Sequence, residues 1–197
     1  MPTKTPKDVS IVLLAAGPSR RLGKPKQLLP YKERSLIRAV TETAIASKAA
    51  RTYVVVGAEA GRVHEEIADL PVVVLDNSQW SEGMSSSIRL GIAALPAATD
   101  AALILLCDQP LVSVGLLDQM IDTYCSSRTR IVACEYGGTL GAPAIFDRSL
   151  FTSLSELRGD RGAKQIIAHH VNEVARVSFL EGTMDIDTMK DYEILTS

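Results

Sequence analysis

Five short apolar runs recur along the chain: Val9 to Leu14, Tyr53 to Val56, Val72 to Leu75, Ala101 to Leu106 and Ile131 to Cys134. They are apolar at consecutive positions, the pattern of strands buried on both faces. Between them, apolar residues return at helical spacing, as in Leu36, Ile37, Val40, Ala44 and Ile45, or Leu116, Leu117, Met120 and Ile121. Strands alternating with helices predict an α/β fold with a mostly parallel central sheet, right-handed crossovers and ligands at the strand carboxyl ends. After about residue 135 the rhythm changes: Gly137-Gly138 and Gly141-Ala142-Pro143 punctuate short apolar pieces, and glycines return at Gly159 and Gly162. No linker, repeat or low-complexity tract marks a boundary, so this reads as an elaborated final third of a single domain spanning 1–197.

Composition narrows the picture. With 46% hydrophobic and 22% charged residues, 197 positions suit one large core. The 21 Lys plus Arg nearly balance 23 Asp plus Glu, so no overall field favours nucleic acid. No run approaches the roughly 18 apolar residues of a membrane span, and the opening MPTKTPKDVS lacks the apolar segment of a signal peptide, so the expected location is cytoplasmic. Cys107, Cys125 and Cys134 are widely spaced with no Cys-x-x-Cys pair, which predicts reduced thiols without chemistry. His64, His169 and His170 fall in or at the end of charged helical stretches and are expected at the surface.

The densest chemistry lies between Leu14 and Pro30, LAAGPSRRLGKPKQLLP, directly after the first strand. Glycines let backbone N–H groups approach a phosphate, and the clustered cations offset its charge. Five residues separate Gly17 from Gly23 and Pro25 follows Lys24, which breaks the Walker pattern; Pro18 and Ser19 after Gly17 break the dinucleotide pattern. Downstream, Ala101 to Leu106 ends in Cys107-Asp108-Gln109-Pro110, which sets the Asp108 carboxylate at a strand's C-terminal edge, a hard oxygen ligand suited to Mg²⁺.

The opening segment resembles the nucleotidyltransferase motif L-A-A-G-x-S-x-R-x-G-x-x-K, through Leu14, Ala15, Ala16, Gly17, Ser19, Arg21, Gly23 and Lys26. With Gln27-Leu28-Leu29-Pro30, it is similar to the molybdenum cofactor cytidylyltransferases of the MobA-like family. The resemblance implies a Rossmann-like three-layer fold that transfers CMP from CTP to molybdopterin, releases pyrophosphate and needs Mg²⁺. The product would pass to a recipient molybdoenzyme or its chaperone.

By the same resemblance, Leu14, Ala15, Ala16 and Gly17 meet the nucleotide, while Arg21 and Lys26 hold the triphosphate. Arg20 and Lys24 fall outside the motif positions and are expected on a solvated face. The segment Asp76 to Ser87 is similar to N-x-x-W-x-x-G-M-x-x-S, which makes Asn77 a candidate reader of a base edge and Ser85 a nucleotide contact or helix cap, with Trp80 packing. The late Asp185-Ile186-Asp187-Thr188 resembles a D-I-D-T segment that places Asp187 opposite Asp108 as second metal ligand. Strand alternation would put Asp185 on the same face, so spacing does not separate the two. Gly159-Asp160-Arg161-Gly162-Ala163 is similar to a turn near the acceptor pocket, and Ala142 stands where many relatives carry His before the proline. Transfer to another phosphorylated acceptor, such as a sugar phosphate or methylerythritol phosphate, carriage of a pterin without turnover, and redox chemistry on a Rossmann-like fold are the alternatives.

Overall fold

The first strand, β1 (Val9–Leu14), is buried along its whole length. Both faces must therefore be covered, and alternate side chains enter two separate cores. Val9, Ile11 and Leu13 join one apolar cluster, and Val12 and Leu14 join the other. The computed structural model describes residues 7–160, 162–186 and 188–196.

Seven strands form the central sheet in the order β5-β4-β1-β6-β8-β7-β9. On one side of β1 lie β4 (Arg51–Val56) and β5 (Val73–Asp76), and on the other β6 (Ala101–Leu106), all parallel. Beyond β6 the sheet reverses: β8 (Thr139–Asp147) runs antiparallel to β6 and to β7 (Ile131–Tyr136), and the edge strand β9 (Val174–Ser178) is parallel to β7. A two-residue ribbon, β2 (Pro30–Tyr31) with β3 (Arg34–Ser35), follows the glycine-rich loop.

Helices cover both faces, giving three layers. One face carries α1 (Leu36–Ile45), α2 (Ala60–Ile67) and α4 (Val114–Ser126), which bury Leu36, Ile37, Val40, Val63, Ile67, Leu117 and Met120. The other carries α3 (Met84–Ala93), α5 (Phe151–Ser155) and α6 (Lys164–His169), which bury Ile88, Ile92, Leu154, Ile166 and Ile167. A final helix, α7 (Met189–Thr196), packs Tyr192 and Leu195 on the first cluster, and its Tyr192 hydroxyl donates to the Pro30 carbonyl at 2.7 Å. Each fully buried Leu or Ile contributes about 1.5–3 kcal/mol. Ser35 and Ser113 cap α1 and α4, accepting from the Arg38 and Leu116 N–H groups.

The final third departs from the sequence reading in two places. The expected short pieces around Gly141-Ala142-Pro143 are one nine-residue strand, β8, whose pairing with β7 shifts register between Ala133 and Cys134. The skipped residues are Ala142 and Pro143: Pro143 has no N–H to give a ladder, and a bulge absorbs it. The alternation of Asp185 and Ile186 does not form a strand; these residues follow a 3₁₀ turn at Leu180–Thr183 in irregular backbone.

Candidate functional site

The chain leaves β1 into its loop with the backbone still tied on both sides. The Ala15 N–H donates to Val55 O, the Ala58 N–H to Ala16 O, and the Cys107 N–H to Leu14 O, at 2.9, 3.1 and 3.1 Å. The loop then turns at Ser19, whose carbonyl accepts from the Leu22 and Gly23 N–H groups. Gln27 fixes the loop from inside. It is buried, and its amide nitrogen donates to both Ala15 O and Gly17 O at 2.7 Å. The Ser19 hydroxyl accepts from the Lys26 N–H at 3.0 Å and donates to Gln27 Oε1 at 3.4 Å. Sequence reasoning read Gln27 only as part of the family likeness. The available signal was an amide beside a glycine-rich loop, where carbonyls left by an irregular backbone need donors.

At the end of β6, Asp108 faces this loop. Lys26 Nζ lies 2.5 Å from Asp108 Oδ2 and 3.4 Å from the Ile186 carbonyl, while the Ile186 N–H donates to Asp108 O at 3.1 Å. The second carboxylate oxygen, Oδ1, is buried with no hydrogen-bond partner among the described residues. Asp187 lies outside the described residues. Asp185 is half-buried, and among the described residues no group of three or more His, Cys, Asp or Glu converges on one point. Burial first, then the Asp185 charge, pushes the Tyr136 phenol up from its ordinary pKa. Burial, with the Asp108 carboxylate next, pushes the Cys107 thiol up well beyond the thiolate range; burial alone takes Cys134 up to about 12. Cys107 and Cys134 are buried free thiols.

A cleft of about 440 Å³ opens between these elements and the start of α3, within the size range of small-ligand sites. Leu14, Ala15, Ala16, Gly17, Arg21, Lys26 and Asp108 all line it, so the structure brings together the expected loop and carboxylate. Arg20 and Lys24 are both exposed, as expected of a solvated face, and Arg20 also lines the cleft while Lys24 does not. The opposite wall is Trp80, Ser81, Gly83, Met84, Ser87 and Asp160. Trp80 sits over Gly57, which follows β4: a Cβ on Gly57 would lie 2.7 Å from Trp80 Cβ and 2.8 Å from Ala16.

Asn77 and Ser85 stand beneath this wall. Asn77 is buried; its amide nitrogen donates to Ser86 and Ser87 hydroxyls at 2.8 and 2.9 Å, and its oxygen accepts from the Gln79 N–H. These bonds spend its polar groups on the start of α3. Ser85 is fully buried in the first turn of α3, and Gly83 occupies the cap position. His64 and His169 are exposed, and His170 contacts Arg130 and Glu173 at the surface.

A cation-lined glycine loop after β1, facing a carboxylate at the neighbouring strand end, is the arrangement of an α/β enzyme that handles nucleoside triphosphates: the chain is a nucleotidyltransferase. It belongs to the MobA-like NTP transferase domain family, which matches residues 11–174. It is 33% identical to nicotine blue oxidoreductase of Paenarthrobacter nicotinovorans, over 79% of both chains. It is 28% identical to the purine catabolism protein PucB of Bacillus subtilis, over 93% of this chain and 94% of that one. The crystal structure of Rv0371c from Mycobacterium tuberculosis superposes with a TM-score of 0.85 at 29% identity, covering 98% of this chain and 100% of that one. Rv0371c has also been solved as a complex with manganese, at 27% identity and a TM-score of 0.82, over 96% and 98% of the two chains. The molybdenum branch is more distant than the sequence motif implied: the molybdenum cofactor cytidylyltransferase of Escherichia coli is 19% identical over 93% of each chain. Among the described residues, no helix is long and apolar enough to cross a membrane.

Proposed function

We propose that the protein transfers the cytidylyl group of CTP to a molybdopterin-type cofactor and releases pyrophosphate. The observation that carries the reading is the Lys26–Asp108 pair at the floor of the cleft, with Asp108 Oδ1 still unclaimed beside a loop lined by Arg21. A buried anionic oxygen with no partner among the described residues fits a divalent cation. Magnesium takes one or two protein carboxylates and completes its shell with phosphate and water. Asp108 would hold the ion, with Asp187 as our second ligand. Bound there, it would neutralise phosphate charge and orient the α-phosphate.

The chain's own groups account for the rest. The backbone of Ala15 to Gly17, held open by Gln27, receives the nucleotide. Arg21 and Lys26 offset the charge that grows on the departing pyrophosphate. An oxygen of the acceptor phosphate forms the new bond to the α-phosphorus; the bond from that phosphorus to the bridging oxygen breaks, and its electron pair leaves with pyrophosphate. The molybdopterin acceptor rests on the Gln27-Leu28-Leu29-Pro30 continuation and on the full-length likeness to the Escherichia coli enzyme. The reaction would be cytoplasmic, with the product passed to a recipient molybdoenzyme or its chaperone.

The test is to incubate purified protein and Mg²⁺ with CTP, GTP or ATP, with and without molybdopterin, and to identify products by mass. A cytidine dinucleotide with stoichiometric pyrophosphate is expected. Turnover only with a sugar phosphate would change the acceptor, and tight pterin binding without product would make the protein a carrier. The likeness to nicotine blue oxidoreductase supports a second reading as a redox enzyme. That reading requires nicotinamide or flavin turnover and no pyrophosphate.

A further inference from the structure

The cleft opens at the carboxyl ends of β1 and β6, and the sheet order sets its polarity. Lys26 and Asp108 meet on the β6 side of β1, while Trp80 stands over Gly57 on the β4 side. A triphosphate drawn to Arg21, Lys26 and a cation that Asp108 would hold would leave its base toward Trp80, Gly83 and Met84. One ionisable side chain on that wall has no part in the mechanism above, Asp160, whose turn the family likeness set near the acceptor pocket and which stands here beside Gly83 in the nucleotide cleft.

Its position is fixed by backbone fit. The turn carrying it is fastened to the start of α3, where the Ser85 N–H donates to Gly159 O at 3.1 Å and Arg89 donates to Leu157 O at 2.9 Å. Gly83, at φ +102°, leaves the room: a Cβ there would lie 2.2 Å from Asp160 Oδ1 and 2.9 Å from Gly159. Asp160 is exposed, so its carboxylate is reachable from the cleft that it lines. It also lies near the positive end of α3, which no side chain caps by hydrogen bond and where a negative charge is favoured.

We infer that Asp160 is a specificity residue that accepts a hydrogen bond from the exocyclic amine of the base and so selects cytosine over uracil. The inference rests on the reading of the cleft as a triphosphate site with its phosphates at Lys26 and Asp108. An ionised carboxylate only accepts. The cytosine amine satisfies it, whereas uracil sets a carbonyl oxygen against it, leaving two acceptors face to face.

The chain's single tryptophan, Trp80, lines the cleft, so its fluorescence reports occupancy there. CTP, UTP and deoxy-CTP are titrated with Mg²⁺ into wild type, Asp160→Asn and Asp160→Ala, with calorimetry as the second measurement. Wild type should prefer CTP over UTP by about tenfold or more, the scale of one hydrogen bond to a charged group. Asp160→Asn should bring the two within about threefold, losing CTP and gaining UTP, because the amide offers donors to the uracil carbonyl. An unchanged ratio in both variants overturns the inference. An equal loss of CTP and UTP that spares deoxy-CTP assigns the carboxylate to the ribose and also overturns it. Wild type that binds no nucleotide refutes the triphosphate reading itself; wild type that binds CTP and UTP alike refutes only the role of Asp160.

Discussion

Replacing Gln27 with Leu keeps much of the side-chain volume and removes the amide that donates to the Ala15 and Gly17 carbonyls. The two losses are unequal. Ala15 is buried, so its carbonyl is left without solvent, whereas Gly17 is exposed and water replaces the amide. An unsatisfied buried acceptor costs about 1–3 kcal/mol, so a destabilisation of about 2 kcal/mol is expected. In a chain of this size each kcal/mol moves the melting temperature by about 2–4 °C, giving a drop of about 4–8 °C by circular dichroism. Activity should fall further, on the order of 10²-fold in kcat/KM, because the loop that receives the nucleotide loses its internal strut. Gln27→Glu adds a pH signature. A buried carboxylate facing two carbonyls has its pKa raised in the folded state, so the penalty grows as pH rises through that value and eases as pH falls from 8 toward 5. Melting within about 1 °C of wild type for Gln27→Leu, with normal turnover, would refute the role given to this amide.

Arg21→Ala should lower kcat/KM by on the order of 10² to 10³, and Arg20→Ala by much less, measured as pyrophosphate release; equal effects would place Arg20 on the phosphates as well. Asp108→Asn should reduce turnover by roughly 10² or more while the circular dichroism spectrum stays native, and near-normal turnover would remove Asp108 from the chemistry. Gln109 is buried and donates to Ala142 O at 3.2 Å, where the bulge in β8 leaves that carbonyl outside the ladder. Gln109→Met should therefore destabilise the fold by about 1–2 kcal/mol, read as a fall of about 2–8 °C in melting temperature, and an unchanged melting temperature would remove this amide from holding the bulge.

In the parallel half of the sheet β1, β4 and β6 were legible because they are buried on two faces, and the half-exposed edge β5 was legible from its apolar run alone. Val9 to Leu14 and Ala101 to Leu106 are strands with those bounds, and the Tyr53, Val72 and Ile131 runs differ only by a residue or two at their ends. Beyond β6 the buried β7 was legible too, whereas β8 and β9 were hidden by their own chemistry. In β8, Gly141 and Pro143 read as breaks because a bulge that skips two residues has no period, and Pro143 is tolerated only through that bulge. In β9, Arg176 and Ser178 are exposed on an edge, so the apolar signal falls below that of a buried strand. The reverse error occurred at Asp185-Ile186, where two-residue alternation is present but one backbone bond, from Ile186 to Asp108, replaces a ladder.

The same division runs through the site. The loop from Leu14 to Lys26 was readable because its demands are local: glycine backbone, cations and a strand before it, all within one segment. Asp108 was readable as a strand-end carboxylate, yet nothing local says that it meets Lys26, 82 positions away. That meeting follows from strand order, since β6 lies directly beside β1 and the two carboxyl ends open onto one cleft. Gln27, Asn77 and Ser85 form the contrasting set, polar residues whose work is decided by burial. Gln27 turns inward to the β1 loop, and Asn77 and Ser85 turn inward to the base of α3. A motif marks where a ligand is received, while the amides that hold the motif in shape are found only once the backbone carbonyls needing donors have positions.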